Sequence, residues 1–237
     1  MKIILTAIFI LASGFLFAQS FEGTLTYVSD FEPGENMKKV GMTKEKLIEK
    51  MKHEGKFSDT LKISYKQGDY YSWLNDKRKS WTLYNDSTNK IYSILEDDIC
   101  SVTDASMDLE SMMLGKPPVI EKMNTTAVVN GDTCNIVKVE WQSGTYYYYY
   151  APGKLTVDPA LFAKHINDGW AAFLNISKAL PVKIVKETKG MITTTMTLAY
   201  FKSETVNEKR FAIPHLVPDK NLNISQVANR ELMRIKK

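Results

Sequence analysis

Histidine, cysteine and acidic side chains are the groups in this sequence that could carry catalysis or hold a metal. The three histidines, His53, His165 and His215, lie far apart, and none belongs to an H-E-x-x-H or H-x-x-E-H pattern that would place two metal ligands on one helical face. The sequence also contains no G-x-S-x-G, C-x-x-C, P-loop or G-x-G-x-x-G pattern. We therefore predict a non-enzymatic protein with no catalytic residues, no metal site and no cofactor.

Two further polar features of the sequence have both a structural and a functional interpretation. His165 falls in an apolar stretch that is expected to be helical, and we interpret it as a residue at the boundary of the core. The acidic run "EDD", residues 96–98, is adjacent to an expected turn. Such a cluster is typical of a solvated face, and a cation site is the alternative interpretation.

Five consecutive tyrosines occur in "GTYYYYYAP", residues 144–152. In a strand, successive side chains point to opposite faces, so the run must divide between two surfaces. A hairpin turn at Ser143-Gly144 would pair Trp141 with Tyr146 and Val139 with Tyr148. The apolar inner face would then carry Trp141, Tyr146, Tyr148 and Tyr150. We predict that this face contacts a ligand, and an ordinary packed core is the alternative.

The elements that would position these residues are mostly strands. An alternating pattern over residues 21–32 predicts an opening strand, and four later turn signals predict hairpins. These signals are Gln67-Gly68, the Asn85 to Asn89 stretch, Asn130-Gly131 and Lys189-Gly190. The sequence is therefore predicted to form a mainly β (α+β) domain built on an antiparallel sheet.

Two segments have helical periodicity instead. Residues 43–54 place Leu47, Ile48 and Met51 on one face after Thr43, which is a typical N-cap. Residues 157–180 start at Asp158-Pro159. The predicted apolar face of this second helix comprises Phe162, Ile166, Trp170, Phe173 and Leu174.

A glycine interrupts the second helical pattern. Gly169 costs a helix interior about 1 kcal/mol relative to alanine, so two shorter helices are an alternative to one long helix. Pro181 marks the end of the segment. Phe162 and Trp170 are the residues that we expect to contact a ligand from this side.

The N-terminus has the order of parts of a secretory signal peptide. Lys2 precedes an apolar run that extends to Phe17 and is followed by the small residue Ala18. We predict cleavage after Ala18, and a membrane anchor is the alternative. Residues 19–237 would then form a single domain, exported to the periplasm or the extracellular space of a Gram-negative bacterium. Gln19 replaces the cysteine of a lipoprotein signal, so no lipid anchor is expected.

Composition narrows the expected partners and the redox state. A formal net charge of +4 is too small to indicate binding to nucleic acid. Cys100 and Cys134 are the two cysteines, and an even pair in an exported chain suggests one disulfide, which could add about 3–4 kcal/mol of stability. We predict the Cys100–Cys134 bond, with two buried thiols as the alternative.

Several short motifs resemble a family of secreted bacterial proteins of unknown function. They are "FEGTLTY", "NGDTCNIVKVEW", "APGKL", "ALPVKI" and "KRFAIPHLVPDKNL", which together span about residues 21–222. That family is similar to the outer-membrane lipoprotein carrier (LolA-like) superfamily. The resemblance implies a curved antiparallel half-barrel sheet, with helices across its concave face and an apolar cavity between them.

Two functions fit these expectations. The first is a soluble binding protein that holds a lipid or another apolar molecule between the sheet and the 157–180 helix. The second is a structural or protein-interaction module whose concave face is filled by its own helix. The candidate ligand contacts under the first hypothesis are Trp141, Tyr146, Tyr148, Tyr150, Phe162 and Trp170.

Overall fold

A computed structural model describes residues 20–222 and 230–236 of the 237-residue chain. The predicted signal peptide, residues 1–18, lies outside the described residues. The strands are β1 (Gly23–Pro33), β2 (Thr60–Lys66), β3 (Asp69–Leu74), β4 (Trp81–Asn85), β5 (Lys90–Glu96), β6 (Ile99–Asp104), β7 (Val119–Val129), β8 (Asp132–Glu140), β9 (Gly144–Tyr150), β10 (Lys183–Thr188), β11 (Ile192–Ser203), β12 (Leu216–Pro218) and β13 (Arg230–Ile235).

In the described residues, the 13 strands form one open, curved antiparallel sheet. Its order is β12-β13-β6-β5-β4-β3-β2-β1-β11-β10-β9-β8-β7. Two runs of consecutive strands, β1 to β6 and β7 to β11, are therefore joined side by side through the pairing of β1 with β11. The sheet is not closed into a barrel, which confirms the predicted mainly β class and half-barrel architecture.

Hairpin turns follow the local sequence signals. Gln67 and Gly68 have φ values of 45° and 91°, and Asn130 and Gly131 have 50° and 87°. Positive φ at both central residues defines a type I′ turn, whose twist matches that of the flanking strands. The other two predicted turns also connect neighbouring strands, β4 to β5 and β10 to β11.

The α-helices of the described residues are short. They are α1 (Glu35–Lys39), α2 (Lys44–His53), α3 (Leu109–Leu114) and α4 (Trp170–Ser177). Helix α2 begins where predicted, because the Thr43 side chain accepts a hydrogen bond from the Lys46 backbone N–H at 3.4 Å. None of the helices in this part of the chain is long and apolar enough to cross a membrane.

Residues 157–180, here called the crossing segment, are not one helix. The segment contains 3-10 turns at Pro159–Phe162 and Asn167–Gly169, followed by α4. The break lies at Asp168 and Gly169, whose φ values of 58° and 68° are left-handed. Ile166, predicted on the apolar face, is 48% exposed. The alternative of shorter helical pieces is therefore closer to the structure than the single helix.

Two apolar clusters pack on opposite faces of the sheet. Leu83 and Tyr84 are adjacent in β4 but belong to different clusters, as expected for side chains that alternate along a strand. The larger cluster fills much of the concave face with the crossing segment, including Phe162, Trp170 and Phe173. The smaller cluster lies on the convex face and includes Val206 and Phe211 from the chain after β11.

The predicted disulfide is wrong. Cys100 belongs to the smaller convex-face cluster and Cys134 to the larger cluster, and both are buried free thiols. A disulfide requires Cα atoms within about 7 Å. Burial raises the pKa of Cys100 to about 11 and also raises the pKa of Cys134. Both side chains therefore act as small apolar core residues, the alternative that the sequence left open.

The predicted register of the tyrosine hairpin is wrong by two residues. The Trp141 backbone N–H donates to the Gly144 carbonyl at 2.9 Å, so the loop residues are Gln142 and Ser143. Val139 consequently pairs with Tyr146. Because side chains alternate with a period of two, this slip leaves every side chain on the predicted face. The inner face therefore carries Trp141, Tyr146, Tyr148 and Tyr150 as predicted, although their cross-strand partners differ from the predicted ones.

Candidate functional site

The crossing segment leaves part of the concave face uncovered, and two adjoining cavities lie there. The inner cavity has a volume of about 160 Å³ and the outer cavity about 350 Å³. Leu61, Ser72, Lys186 and Met196 line both. We therefore treat the two as parts of one groove, called the concave groove below.

The inner cavity lies between the sheet and the start of α4. Strands β2 and β3 contribute Leu61, Ile63, Tyr65, Tyr70 and Ser72, and strands β9 to β11 contribute Tyr148, Ile184, Lys186 and Met196. The crossing segment closes one side with His165, Asn167, Asp168 and Trp170. The walls are therefore largely apolar, with a few polar groups supplied mainly by the crossing segment.

The outer cavity extends the groove away from the crossing segment. Helix α2 and β1 contribute Met51 and Phe31, and β3 contributes Leu74. These side chains are apolar, and the rest of the lining includes serine, threonine and lysine residues, among them Lys56 and Thr194. The outer cavity thus combines apolar and polar residues and adjoins the inner cavity.

His165 is a buried, uncharged residue of the inner cavity. The side chain is 2% exposed, and Nε2 lies 3.0 Å from the Tyr70 hydroxyl. Burial lowers the pKa of His165 to about 4, against the opposing influence of the Asp168 carboxylate. The ring is therefore neutral at pH 7. Nδ1 is buried and has no hydrogen-bond partner in the described part of the chain.

Trp170 forms the adjoining wall of the same cavity. The indole is 8% exposed, and its ring centroid lies 5.4 Å from that of Phe173 and 5.9 Å from that of Tyr148. Its Nε1 is buried and, among the described residues, has no acceptor. Buried polar atoms are nearly always hydrogen-bonded, so such an atom in a cavity wall requires an explanation.

Lys186 and Asp168 form a charge pair where the inner and outer cavities meet. The Lys186 Nζ lies 3.1 Å from Asp168 Oδ2 and 4.4 Å from the centre of the Tyr146 ring. Burial lowers the pKa of Lys186, but Asp168 and Tyr146 outweigh this effect and raise the pKa overall. Both side chains are partly exposed, so the pair contributes about 0–1 kcal/mol to stability, while it cancels the net charge at this point of the groove.

A buried carboxylate, Asp108, holds the strained part of the crossing segment in place. Asp108 Oδ1 accepts hydrogen bonds from Trp141 Nε1 and from the Ser111 backbone N–H, each at 2.8 Å. Its Oδ2 accepts from the Asp168 backbone N–H at 3.2 Å. The Tyr148 hydroxyl donates to the Asp168 carbonyl at 2.9 Å. The left-handed backbone at Asp168 is therefore hydrogen-bonded through both its N–H and its carbonyl group.

The six predicted ligand contacts have different environments. Tyr148 and Trp170 line the inner cavity, whereas Trp141, Tyr150 and Phe162 are packed within the core. Tyr146 lies beneath the Lys186 ammonium. The structure brings all six together in or against one apolar cluster.

Sequence reasoning missed three polar residues of the groove. His165 was expected at the core boundary, and neither Asp168 nor Lys186 was singled out. Lys186 offered a signal, because it occupies an inward position two residues after Ile184 in β10. Asp168 precedes Gly169, and an Asp-Gly pair inside a helical pattern is typical of a turn or a break in the helix.

The acidic run at residues 96–98 is located away from the groove, in the turn between β5 and β6. Asp98 pairs with Arg234, with both carboxylate oxygens 3.0 Å from Nη1. Within residues 20–222 and 230–236, no group of three or more histidine, cysteine or acidic side chains is arranged to hold a metal ion.

Comparisons with known proteins find matches among solved structures but none by family model or curated sequence. No protein-family model matches the chain, and no curated protein matches its sequence significantly. Among solved structures, the chain is similar to two crystal forms of PNGF-II, each with a TM-score of 0.42, at 10% and 8% sequence identity. The matches cover 80% and 81% of this chain but only 29% and 30% of those chains. A partial backbone likeness of this extent carries no information on function.

Proposed function

We propose that this is a non-enzymatic, exported binding protein that holds a lipid or another apolar molecule in the concave groove. The observation that carries the proposal is the groove itself, an apolar cleft that the crossing segment leaves open. Ligand sites are typically concave and mostly apolar, with a small number of polar groups that fix orientation. The inner cavity combines Leu61, Ile63 and Met196 with His165 and Lys186 in this way.

Export and the LolA-like relationship belong to the same proposal. Export is supported by the signal-peptide pattern of residues 1–18, and N-terminal sequencing of exported protein should begin at Gln19. The relationship is supported by the short motifs quoted above. The proposed mode of binding, between a curved sheet and a covering segment, is the mode that this resemblance implies.

The crossing segment favours a second candidate function. Phe162, Phe173 and Leu174 are at most 2% exposed, so the segment already fills much of the concave face. A module whose concave face is closed by its own chain would use its outer surfaces to bind a protein partner. The two candidates differ in whether the remaining groove takes up a small molecule.

Binding of an uncharged apolar fluorophore, N-phenyl-1-naphthylamine, tests the proposal. Wild-type protein should bind it with a stoichiometry near one, and lipid extracted from the purified protein should compete. Ser72 lines both cavities, so Ser72→Trp should fill the groove and abolish binding. Ser87→Trp is the matched control, because Ser87 is exposed in the β4–β5 turn.

Native mass spectrometry before and after solvent extraction gives an independent readout. Released lipid of defined mass supports the binding function. A folded wild-type protein that binds no fluorophore and releases no lipid would leave the interaction module as the better function.

A further inference from the structure

Basic residues are concentrated at the outer end of the concave groove. Residues 49–56, at the end of α2 and just after it, and residues 75–80, in the β3–β4 turn, together contain six basic and three acidic residues. Their formal net charge is +3, whereas the whole chain carries only +4. Five exposed residues of these stretches are called the basic rim below: Lys52, Lys56, Lys77, Arg78 and Lys79.

The basic rim borders the outer cavity. Lys56 lines that cavity, and so does Ser80 at the end of the β3–β4 turn. The turn also lies against the chain that follows α2, because a Cβ added to Gly55 would be 3.5 Å from Lys77 Cβ and 3.7 Å from Arg78 Cγ. The two basic stretches therefore meet at the mouth of the groove.

Neighbouring carboxylates neutralise only part of this positive charge. Lys56 Nζ lies 2.6 Å from Glu54 Oε2. Asp76 is buried, and its carboxylate is hydrogen-bonded within the β3–β4 turn. The other four cations of the basic rim form no ion pair with the described residues. Two of them contact neutral groups instead, the Phe57 ring and the Leu95 carbonyl.

The order of apolar walls and charges along the groove restricts the ligand. Phe31, Met51 and Leu74 give the outer cavity an apolar wall, on which a hydrocarbon chain can lie. Deeper in the groove, the Lys186 ammonium is already paired with the Asp168 carboxylate at 3.1 Å. Unpaired cations are therefore found at the mouth, where they attract an anionic group and bind it by charge-assisted hydrogen bonds.

We propose that the basic rim binds the anionic headgroup of an amphiphilic ligand whose hydrocarbon chain lies in the outer cavity. This inference rests on the proposed binding function and names the class of its ligand. The shared chemistry is a phosphate or carboxylate group attached to a hydrocarbon chain.

Three probes of equal chain length test the inference: octyl phosphate, 1-octanol and octyltrimethylammonium. Calorimetric titration should show that the wild-type protein binds octyl phosphate about tenfold more tightly than 1-octanol, the ratio that a few exposed ion pairs provide. Octyltrimethylammonium should bind most weakly. Raising the NaCl concentration from about 50 to about 500 mM should remove most of the preference, since salt screens exposed charges.

Inorganic phosphate separates the headgroup from the chain. It should bind about a hundredfold or more weakly than octyl phosphate, because it buries no apolar surface. Equal affinity for the two would show that the basic rim binds free phosphate and that the outer cavity takes up no chain, which would overturn the inference.

Glutamine substitutions in the β3–β4 turn test the basic rim directly. The triple variant Lys77→Gln, Arg78→Gln, Lys79→Gln should bind octyl phosphate about tenfold more weakly than the wild type and 1-octanol equally well. All three positions are exposed, so the variant should keep the fold.

A second triple variant is the matched control. Lys116→Gln, Lys122→Gln, Lys220→Gln removes the same number of exposed cations, none of which lines either cavity of the groove. It should keep the wild-type preference for octyl phosphate. An equal loss in both triple variants, or equal wild-type affinity for octyl phosphate and 1-octanol, would overturn the inference.

The uncharged fluorophore N-phenyl-1-naphthylamine separates this inference from the function on which it rests. If the fluorophore binds but octyl phosphate has no advantage over 1-octanol, the groove binds apolar molecules and the headgroup site is wrong. If neither the fluorophore nor any octyl probe binds, the proposed function fails and the inference fails with it.

Discussion

The polarity of the concave groove depends on a few side chains that the sheet and the crossing segment bring together. His165 is neutral, and the Lys186 ammonium forms an ion pair with the Asp168 carboxylate. Tyr148 contributes an apolar ring to the cavity wall but uses its hydroxyl on the Asp168 carbonyl. At the residue scale, the inner cavity therefore carries no net charge although ionisable groups line it.

The buried histidine predicts acid sensitivity. Its pKa is lowered from 6.5 to about 4 on folding, so between these values the unfolded chain binds more protons than the folded chain. The free energy of unfolding should therefore fall by about 3 kcal/mol as pH decreases from about 6.5 to 4. Urea unfolding at a series of pH values measures this slope.

His165→Gln supplies the comparison for that slope. The variant should lose much of the pH dependence in this window, whereas His53→Gln, at an exposed histidine of α2, should unfold with the wild-type profile. A wild-type slope in His165→Gln would show that other groups cause the acid sensitivity.

The alternation of the tyrosine run predicts unequal costs of truncation. Tyr148 is 2% exposed, so Tyr148→Ala should lower the free energy of unfolding by about 3–5 kcal/mol. Tyr147 lies on the outer face and is half-buried. Tyr147→Ala should therefore lower the free energy of unfolding by less than about 1 kcal/mol. Denaturant unfolding of the two variants measures the difference. Equal losses would contradict the assignment of the two faces.

At the scale of elements, local chemistry predicted the secondary structure well. The Asn130-Gly131 turn and the Thr43 N-cap form as predicted because backbone conformation at those positions is decided within a few residues. The predicted turn at Ser143-Gly144 does not form at those two residues, because neighbouring loop positions differ little in turn propensity. The crossing segment also differs from the predicted single helix, since its break depends on hydrogen bonds with Asp108 and Tyr148.

Gly169 offers a test of that break. A Cβ at this position would lie 2.8 Å from Val139 Cγ1, and φ is +68°. Gly169→Ala should therefore destabilise the protein by about 2–4 kcal/mol, through backbone strain and crowding together. Gly131 has φ +87° but open space around its Cα, so Gly131→Ala should cost about 1–2 kcal/mol. Thermal and urea unfolding compare the two, and equal costs would mean that the crossing segment can move away from β8.

At the scale of the whole molecule, the site was harder to predict than the fold. Tyr70 and His165 bond across 95 residues of sequence, and Asp108 and Asp168 across 60. Neither pair has a periodic or short-range signal. The mainly β class followed from hairpin patterns, whereas the polar groups of the groove are placed together only by strand order and by the path of the crossing segment.

The two candidate functions make opposite predictions for Trp170→Ala. The indole lines the inner cavity, so its removal should enlarge the groove and change the affinity for N-phenyl-1-naphthylamine several-fold. Phe173 is fully buried behind it, at 0% exposure, and Phe173→Ala should destabilise the protein by about 3–5 kcal/mol with a smaller effect on affinity. Both variants are compared by fluorescence titration, well below their unfolding midpoints. If Trp170→Ala loses stability while the folded variant binds the fluorophore as wild type does, the indole is core packing alone, and the groove is not where the fluorophore binds.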